Sequence, residues 1–559
     1  ECPNPGCGDR GIHLRFDRQL WTLQHVCPKC GVLPVYIVDH ELYRYLPSIV
    51  VGTVDKLAVF GLQRRFANLI GWTGGYCQDH GFAPENECLV PHCKHKKKLI
   101  VKTIVDPVPS LHVQDELHLL KEDLGAFDSH YETAVIGMQR RVPGSKHPWK
   151  TIAATATIEE FRRHVEHLYL TRGRRFPTPG PYYERTFFAQ TDPVELSRLF
   201  VGIIPHGLTH INAMVEILWY FHREISTLRE MSPADFLDRT GLKGTVDPAD
   251  VQKFLNNYEI SLTYVLTKKA GDQMAESLDA QIRDYLMRHG LKELVTEVLT
   301  GGTTSDKITD VMDRIESHDL KEPDYSKHVR SIVATSMISH GVDVERFNFI
   351  PFFGMPRMTS EYIQASSRVG RNLPGIALVC FAPARERDRS HYHLFGKYHE
   401  YLERLVEPAA INRWSKFSVS KTITGIIVGH VINRVAREVG AKLTTESAIS
   451  AHTPKTLNGS ILNDAVSEYY GADKQSSGEF ADTISIMSDK FCRGLRPNAK
   501  TKWIGDRKGW KPMRSLRDTD KEVKFSPTIF SAELFETLLK DRLSGGEVDS
   551  GAKEEEKGE

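Results

Sequence analysis

The order of apolar and polar positions predicts alternating strands and helices through the middle of the chain. Short apolar runs predict strands, and segments with an apolar residue every three or four positions predict helices between them. Strands are predicted at 198–205, 260–266, 294–299, 331–334, 347–353 and 376–382, with helices at 207–225, 271–288 and 306–317. Strands that alternate with helices form parallel sheets with helical crossovers. The sequence therefore predicts an α/β domain in this region.

A second pattern, nearer the N-terminus, ends a predicted strand in adjacent carboxylates. Residues 111–118 read LHVQDELH, so Asp115 and Glu116 follow an apolar-leaning run and precede His118. The carboxyl end of a buried strand is where an α/β sheet presents groups to phosphates. There the first carboxylate would hold Mg²⁺ through water and the second would position an attacking water. Asp-Glu pairs are also common at solvated strand ends, so this motif needs support from elsewhere.

That support comes from residues 364–371, which read QASSRVGR. If Gln364, Arg368 and Arg371 lie on a helix, the two arginines share one face, because residues three apart are neighbours on a helix surface. Planar guanidinium groups suit the charge that develops on a transferred phosphoryl group. The combination of both patterns therefore indicates nucleotide hydrolysis.

Together these segments resemble motifs II and VI of the superfamily-two helicases. Intervening segments also match in order: 51–57 resembles motif Ib, 154–157 motif III and 334–344 motif V. The resemblance implies an α/β fold with two RecA-like parallel-sheet domains, zinc-binding insertions and a C-terminal helical region, with ATP and Mg²⁺ bound between the two domains.

The same resemblance assigns roles to individual residues. Asp115, Glu116, His118, Gln364, Arg368 and Arg371 would be catalytic. Gly341, Asp343, Thr155 and Thr157 would act near the nucleotide, and Thr53, Lys56, Thr335 and Ser336 would contact the nucleic-acid backbone. Thr53 is equally compatible with a helix N-cap, which would leave Lys56 on a solvated first turn. Thr155 and Thr157 could also belong to a plain threonine-rich strand end.

Seven of the nine cysteines fall before residue 94 and form two groups. Cys2, Cys7, Cys27 and Cys30 have the C-x4-C and C-x2-C spacing of a zinc ribbon. The second group is Cys77, His80, Cys88 and Cys93, in which His92 or His95 could replace His80. We predict that both groups bind Zn²⁺, because a cytoplasmic ATPase keeps its thiols reduced. For the first group the alternative is disulfide bonds. For the second group the alternative is that the cysteines lie in a loop without a common function. Four protein ligands would make both sites structural.

Composition adds little to this picture. The chain of 559 residues has a net charge of +1, so any nucleic-acid surface must be local. The sequence has no apolar run of the roughly 20 residues that a membrane helix needs, so we expect no membrane partner. The expected division is a zinc-ribbon-like segment at 1–47, the rest of the first RecA-like domain at 48–175, a second RecA-like domain at 176–384, an accessory, mostly helical region at 385–543 and a disordered tail at 544–559.

A phosphate-binding loop of the form GxxxxGK[ST] is missing from the sequence. In a helicase this loop precedes the acidic motif, so we expect the chain to be a fragment that does not hydrolyse ATP alone. A degenerate first domain is the alternative.

Several phrases further resemble the DrmA family, the helicase-like component of the bacterial DISARM anti-phage system. They are VGTVDKLA at 51–58, QDELHLL at 114–120 and MRSLRD at 513–518. The resemblance implies DNA binding, ATP-driven translocation or remodelling and a DrmB-like partner protein. An RNA helicase of the same architecture and a non-catalytic zinc scaffold that binds DNA or a partner are the alternatives.

Overall fold

A computed structural model shows how these segments fold. It describes residues 2–102, 104–155, 160–178, 187–188, 190, 192, 195–241, 243, 247–291, 293–316, 328–335, 344, 346–452, 458–471, 478–495 and 512–517. Thr157, Ser336, Gly341, Asp343 and the predicted disordered tail lie outside these residues.

The described residues contain both strands and helices along the chain. The strands are β1 (His13–Asp17), β2 (Thr22–Cys27), β3 (Gly31–Leu33), β4 (Gly75–Cys77), β5 (Gly81–Ala83), β6 (Leu111–Gln114), β7 (Lys150–Ala153), β8 (Arg198–Ile203), β9 (Ser261–Val265), β10 (Val295–Leu299), β11 (Val329–Ala334), β12 (Phe349–Phe353) and β13 (Gly375–Cys380). The α-helices are α1 (Asp39–Tyr45), α2 (Phe66–Leu69), α3 (Glu122–Gln139), α4 (Phe161–Tyr169), α5 (His210–Glu230), α6 (Pro233–Thr240), α7 (Pro248–Asn256), α8 (Lys268–Ser277), α9 (Asp284–Arg288), α10 (Ser305–Glu316), α11 (Thr359–Ser366), α12 (Glu386–His393), α13 (Phe395–Glu400), α14 (Lys416–Gly429), α15 (Ala436–Glu438), α16 (Glu446–Ser450), α17 (Gly459–Tyr470) and α18 (Gly478–Gly494). A 3-10 helix covers Val54–Gly61, and π-helical turns cover Leu278–Arg283 and His430–Val435.

The chain divides into two compact units. Unit 1 comprises residues 1–155, 160–174 and 409–559, and unit 2 comprises residues 156–159 and 175–408. The chain therefore passes from unit 1 to unit 2 and later returns. Residues 385–408, expected in the accessory region, pack within unit 2, whereas the helices from α14 onward pack within unit 1.

Unit 2 is built on a six-stranded parallel sheet in the order β10-β11-β9-β12-β13-β8. Every residue of β9 and β11 is buried, as expected for central strands covered on both faces. One apolar cluster contains Leu262 and Ile332, and another contains Val265 and Val333, because successive side chains point to opposite faces. The predicted α/β fold class is confirmed, and each predicted strand of this sheet forms within a few residues of its expected limits.

Unit 1 has a mainly helical core. Helix α3 packs against α14, α17 and the 3-10 helix 54–61, and its residues Phe127 and Tyr131 are completely buried. Gly425 permits the close approach of α14, since a β-carbon there would lie 2.0 Å from the Tyr131 hydroxyl. Strands β6 and β7 form a separate parallel pair. The expectation that the strand before Asp115 is buried was wrong: Leu111 and Val113, which lie on one face of β6, are 48% and 61% exposed, so the described residues leave that face uncovered.

Candidate functional site

The predicted acidic pair follows directly on β6. Asp115 Oδ1 accepts a hydrogen bond from the Glu116 backbone N–H at 2.9 Å, and the side-chain amide of Gln114 donates to the Asp115 carbonyl at 2.8 Å. Glu116 has a left-handed backbone (φ +49°, ψ +50°), which is uncommon for a residue other than glycine. The chain thus turns sharply at the strand end and leaves Asp115 exposed, where a solvated cation could reach it.

His118 connects this pair to the end of the neighbouring strand. Its Nδ1 lies 3.1 Å from Thr155 Oγ1 and 3.3 Å from Glu116 Oε2. The backbone reinforces the connection, since the Leu117 N–H donates to the Ala154 carbonyl at 2.9 Å. The structure therefore brings together three of the residues predicted from motifs II and III.

The predicted arginines lie just beyond a short helix. Gln364 is nearly buried on α11, but that helix ends at Ser366, so the expectation that Arg368 and Arg371 share a helical turn was wrong. Between the two arginines, Gly370 has a left-handed backbone (φ +78°), and an added β-carbon there would lie 2.3 Å from the Ser197 carbonyl. This glycine turns the chain toward β13, so both arginines follow the helix in a tight turn.

Tyrosine hydroxyl groups hold α11 against other elements of unit 2. Tyr264, on β9, donates a hydrogen bond to Glu361 in the first turn of α11. Burial raises the pKa of Tyr264, so its hydroxyl remains a donor. Tyr362 on the same helix lies with its hydroxyl 2.9 Å from His399 Nε2. Contacts from two other elements thus fix the helix that precedes the arginines.

The described residues among the predicted nucleic-acid contacts lie at element ends. Thr53 occupies the N-cap position of the 3-10 helix, and Lys56 lies in its first turn. Lys56 Nζ forms an ion pair with Asp39 Oδ2 at 2.9 Å on an exposed surface. Thr335 follows β11, and its N–H donates to the Leu299 carbonyl at 3.2 Å. Their roles in nucleic-acid binding stay predictions.

The first cysteine group comes together at the hairpin of β1, β2 and β3. The sulfur atoms of Cys2 and Cys30 are 3.8 Å apart, and those of Cys7 and Cys27 are 3.7 Å apart. All four sulfur atoms lie within 4.8 Å of one another. A tetrahedral site with Zn–S bonds of about 2.3 Å has sulfur atoms about 3.8 Å apart. The donor set therefore fits zinc.

The second group comes together around the β4–β5 hairpin. His80 Nδ1 lies 3.5 Å from Cys77 Sγ and 3.6 Å from Cys88 Sγ, while Cys93 Sγ is 3.7 Å from Cys77 Sγ. His80 Nε2 donates to the Gln19 carbonyl at 3.0 Å, which leaves Nδ1 as the metal-facing nitrogen. His95, an alternative ligand, instead pairs with Asp79 at 2.8 Å. These four residues also fit a zinc ion.

Buried Arg44 links the second metal group to the β1–β2 hairpin. Its guanidinium donates to the carbonyls of His80, Trp21 and Leu20 at 2.8–3.0 Å. Because the Gln19 carbonyl also bonds His80, the loop between β1 and β2 packs directly against a candidate metal ligand. The two cysteine groups therefore belong to one structural region.

Comparison with known protein families identifies the second unit. The family model described as the helicase conserved C-terminal domain matches residues 250–373, a segment that begins in α7 and ends after Arg371. Residues 250–373 of this chain are therefore similar to the helicase conserved C-terminal domain.

A similar protein of known name extends the match beyond residues 250–373. The chain is 29% identical over 434 residues to the DISARM protein DrmA of Bacillus paralicheniformis. This match covers 73% of the chain and 36% of DrmA, so the chain spans about a third of that relative's length.

Solved helicase structures also match parts of this chain. The DUF1998 helicase MrfA, bound to DNA and AMPPNP, is 14% identical with a TM-score of 0.38, over 57% of this chain and 37% of that one. The helicase Lhr of Mycobacterium smegmatis, bound to ssDNA and AMP-PNP, is 10% identical with a TM-score of 0.38, over 65% of this chain and 36% of that one.

Sequence reasoning missed a pair of buried carboxylates on α3 and the histidine of β6 that lies beside it. Asp128 and Glu132 are buried one turn apart on α3, and His112 Nε2 of β6 lies 3.5 Å from Glu132 Oε1. Burial raises the pKa of Asp128 to about 8 and lowers the pKa of His112. The i, i+4 spacing of two carboxylates in a predicted helix was the available signal, but such a spacing more often marks a solvated face.

None of the helices in the described ranges combines the length and the apolar content that crossing a bilayer requires.

Proposed function

We propose that the protein is an ATP-dependent DNA helicase or translocase of an anti-phage defence system. The observation that carries the proposal is the pairing, in one chain, of a helicase C-terminal domain that ends in Arg368 and Arg371 with an acidic strand end joined to Thr155 through His118. The similarity to the DISARM protein DrmA supports the defence role.

In this proposal each unit contributes part of the hydrolytic machinery. Bound Mg²⁺ would neutralise charge on the β- and γ-phosphates. Asp115 would hold that ion through water, and Glu116 would orient the attacking water. Arg368 and Arg371 would stabilise charge on the transferred phosphoryl group, with Gln364 beside them on α11. His118 would keep the acidic pair in register with the end of β7, because it lies within hydrogen-bond distance of Thr155 and close to Glu116.

Contacts with DNA are proposed at the residues of the segments that resemble motifs Ib and V. Thr53, Lys56, Thr335 and Ser336 would bind the sugar-phosphate backbone, and Thr157, Gly341 and Asp343 would act near the nucleotide. The Lys56–Asp39 ion pair is exposed, so phosphate could replace Asp39 as the partner at little cost. A DrmB-like protein is the proposed partner, on the strength of the DrmA similarity.

Zinc at the two cysteine groups would have a structural role. Each group offers four protein ligands, which leaves no open position for chemistry. Native mass spectrometry is expected to find two zinc ions per chain. Cys7→Ser and Cys77→Ser should each remove one of them, and a chain that folds without zinc would contradict this role.

ATP hydrolysis by the natural protein tests the proposed function. The rate is expected to rise with double-stranded or single-stranded DNA and to change little with RNA of the same length. Stimulation by RNA alone would instead identify an RNA helicase. Retained DNA binding without any hydrolysis would identify a zinc-containing scaffold.

A further inference from the structure

The carboxylate of Glu407 lies at the N-terminus of α11, the helix that precedes the arginines. Its two oxygens accept from the Thr359 backbone N–H at 2.8 and 3.0 Å, and Oε1 also accepts from the Thr359 hydroxyl at 3.1 Å. The N-cap residue itself is Met358, which has no side-chain oxygen for capping. Glu407 therefore supplies from a distant segment the acceptor and the negative charge that a helix N-terminus favours.

Two more charged residues hold the loop that enters α11. Arg387 donates to the carbonyls of Met355 at 3.3 Å and Arg357 at 2.8 Å, and also to Pro356. Asp388 accepts from the Met355 N–H at 3.4 Å. We call Arg387, Asp388 and Glu407 the clamp. All three come from residues 385–408, outside the segment that the helicase family model matches.

Glu407 is also the second residue before the chain returns to unit 1. Within unit 1, the backbone carbonyls of the residues that follow Pro408 accept hydrogen bonds. The Ala410 carbonyl accepts a hydrogen bond at 2.6 Å from the backbone N–H of Glu122, which begins α3. The Ile411 carbonyl lies 2.9 Å from His167 Nδ1. The connector 407–411 is thus bonded in unit 2 to the arginine helix and in unit 1 to the helix that follows Glu116.

We propose that Glu407 is a positioning residue that fixes Arg368 and Arg371 through α11 and ties this helix to the connector. Helix α11 has eight residues, and a helix this short has little stability of its own. Its orientation therefore depends on its anchors, and any tilt moves the arginines that follow its C-terminus. Displacements of about 1 Å in a catalytic arrangement cost roughly 100-fold in rate.

Steady-state kinetics of the natural protein test this role, which rests on the proposed function. Glu407→Ala should lower kcat for DNA-stimulated ATP hydrolysis by about tenfold or more and change KM for ATP less than twofold, because the arginines would act on the transition state rather than on bound ATP. Glu407→Gln keeps an oxygen acceptor and should retain most of kcat. Glu400→Ala is the matched control, since Glu400 lies on the adjacent α13 and pairs with exposed Lys397.

Equal losses in Glu407→Ala, Glu407→Gln and Glu400→Ala would overturn the proposal, as would a change confined to KM. Lengthening the connector by two glycines between Pro408 and Ala409 is expected to lower kcat while every clamp side chain is retained. An unchanged rate there would contradict the tie between α11 and the connector.

Hydrogen exchange of the 559-residue chain tests the clamp without any ATPase activity. In Glu407→Ala the Thr359 amide should exchange at least tenfold faster, while the amides of β12 and β13 keep their protection. Unchanged exchange at Thr359 would overturn the proposal. If the wild-type protein hydrolyses no ATP, the proposed function fails, and the exchange result alone decides whether Glu407 holds α11.

Discussion

The two units bury carboxylates in opposite ways. In unit 2, Glu259 is 1% exposed and lies between arginines: Arg330 Nε is 3.1 Å from Oε1 and Arg229 Nη2 is 3.0 Å from Oε2. In unit 1, Asp128 is fully buried, and within the described part of the chain neither of its oxygens has a hydrogen-bond partner. One site compensates a buried charge, and the other holds a group that is more stable when neutral.

This difference shows how each core tolerates a polar group. Desolvation penalises a charge unless ion pairs and hydrogen bonds replace the lost water. The three arginines around Glu259 supply that replacement, with Arg346 Nη2 at 3.8 Å as the third. Burial, reinforced by the nearby carboxylate of Asp55, raises the pKa of Asp128 to about 8. Unit 2 should therefore be sensitive to loss of a charge, and unit 1 to gain of one.

Removal of Arg330 should have the largest effect on stability. Arg330→Met would leave Glu259 buried with less compensation, and breaking a buried pair from one side typically costs about 3–5 kcal/mol. Chemical denaturation of the chain measures the loss in the free energy of unfolding. Hydrogen exchange at β9 and β11 monitors the unfolding of unit 2. Arg314→Met is the matched control, because Arg314 is 33% exposed beside Glu297 and its loss should cost less than about 1 kcal/mol. Similar losses in both variants would contradict the compensation at Glu259.

Asp128→Asn should have a smaller effect that depends on pH. The pKa of Asp128 is higher in the folded chain than the ordinary value of 3.8, so its folded state favours the bound proton. Stability from this group is complete below about pH 4 and is lost as pH rises toward 8. The asparagine variant does not titrate, so its thermal midpoint should rise relative to wild type between pH 5 and pH 8. Asp310→Asn, on an exposed face of α10, should show no such trend. A constant difference across this range would mean that Asp128 is not protonated in the folded chain.

The same contrast explains what could be predicted from sequence. The strands of unit 2 were predicted because a strand buried on both faces is a continuous apolar run that a short window detects. The core of unit 1 was not predicted, since it joins α3 to α14 and α17 across some 300 residues. Asn433 illustrates the problem: its side chain donates to the Phe60 carbonyl at 2.9 Å and accepts from the Ala67 N–H at 3.0 Å.

The candidate site also has some features that the sequence predicts and others that it does not. The clustering of the two cysteine groups could be predicted, because their spacing in the chain reflects local hairpins that bring the side chains together. The turn between Arg368 and Arg371 could not be predicted, because the backbone of Gly370 lies too close to the distant Ser197 carbonyl to admit a β-carbon. Glu407 carries no local signal at all, since its partner Thr359 lies 48 residues earlier. Motif spacing thus identifies candidate residues, and tertiary contacts decide how those residues are held.

The central claim is that the acidic pair of unit 1 and the arginines of unit 2 act in one hydrolytic reaction. The most direct measurement is DNA-stimulated ATP hydrolysis by the natural protein carrying Glu116→Gln, Arg371→Ala or both. Residues that act as a unit have strongly non-additive effects. We predict that each single variant loses most of the stimulated rate and that the double variant is scarcely slower than either one. Full activity in either single variant, or losses that multiply in the double variant, would contradict the claim.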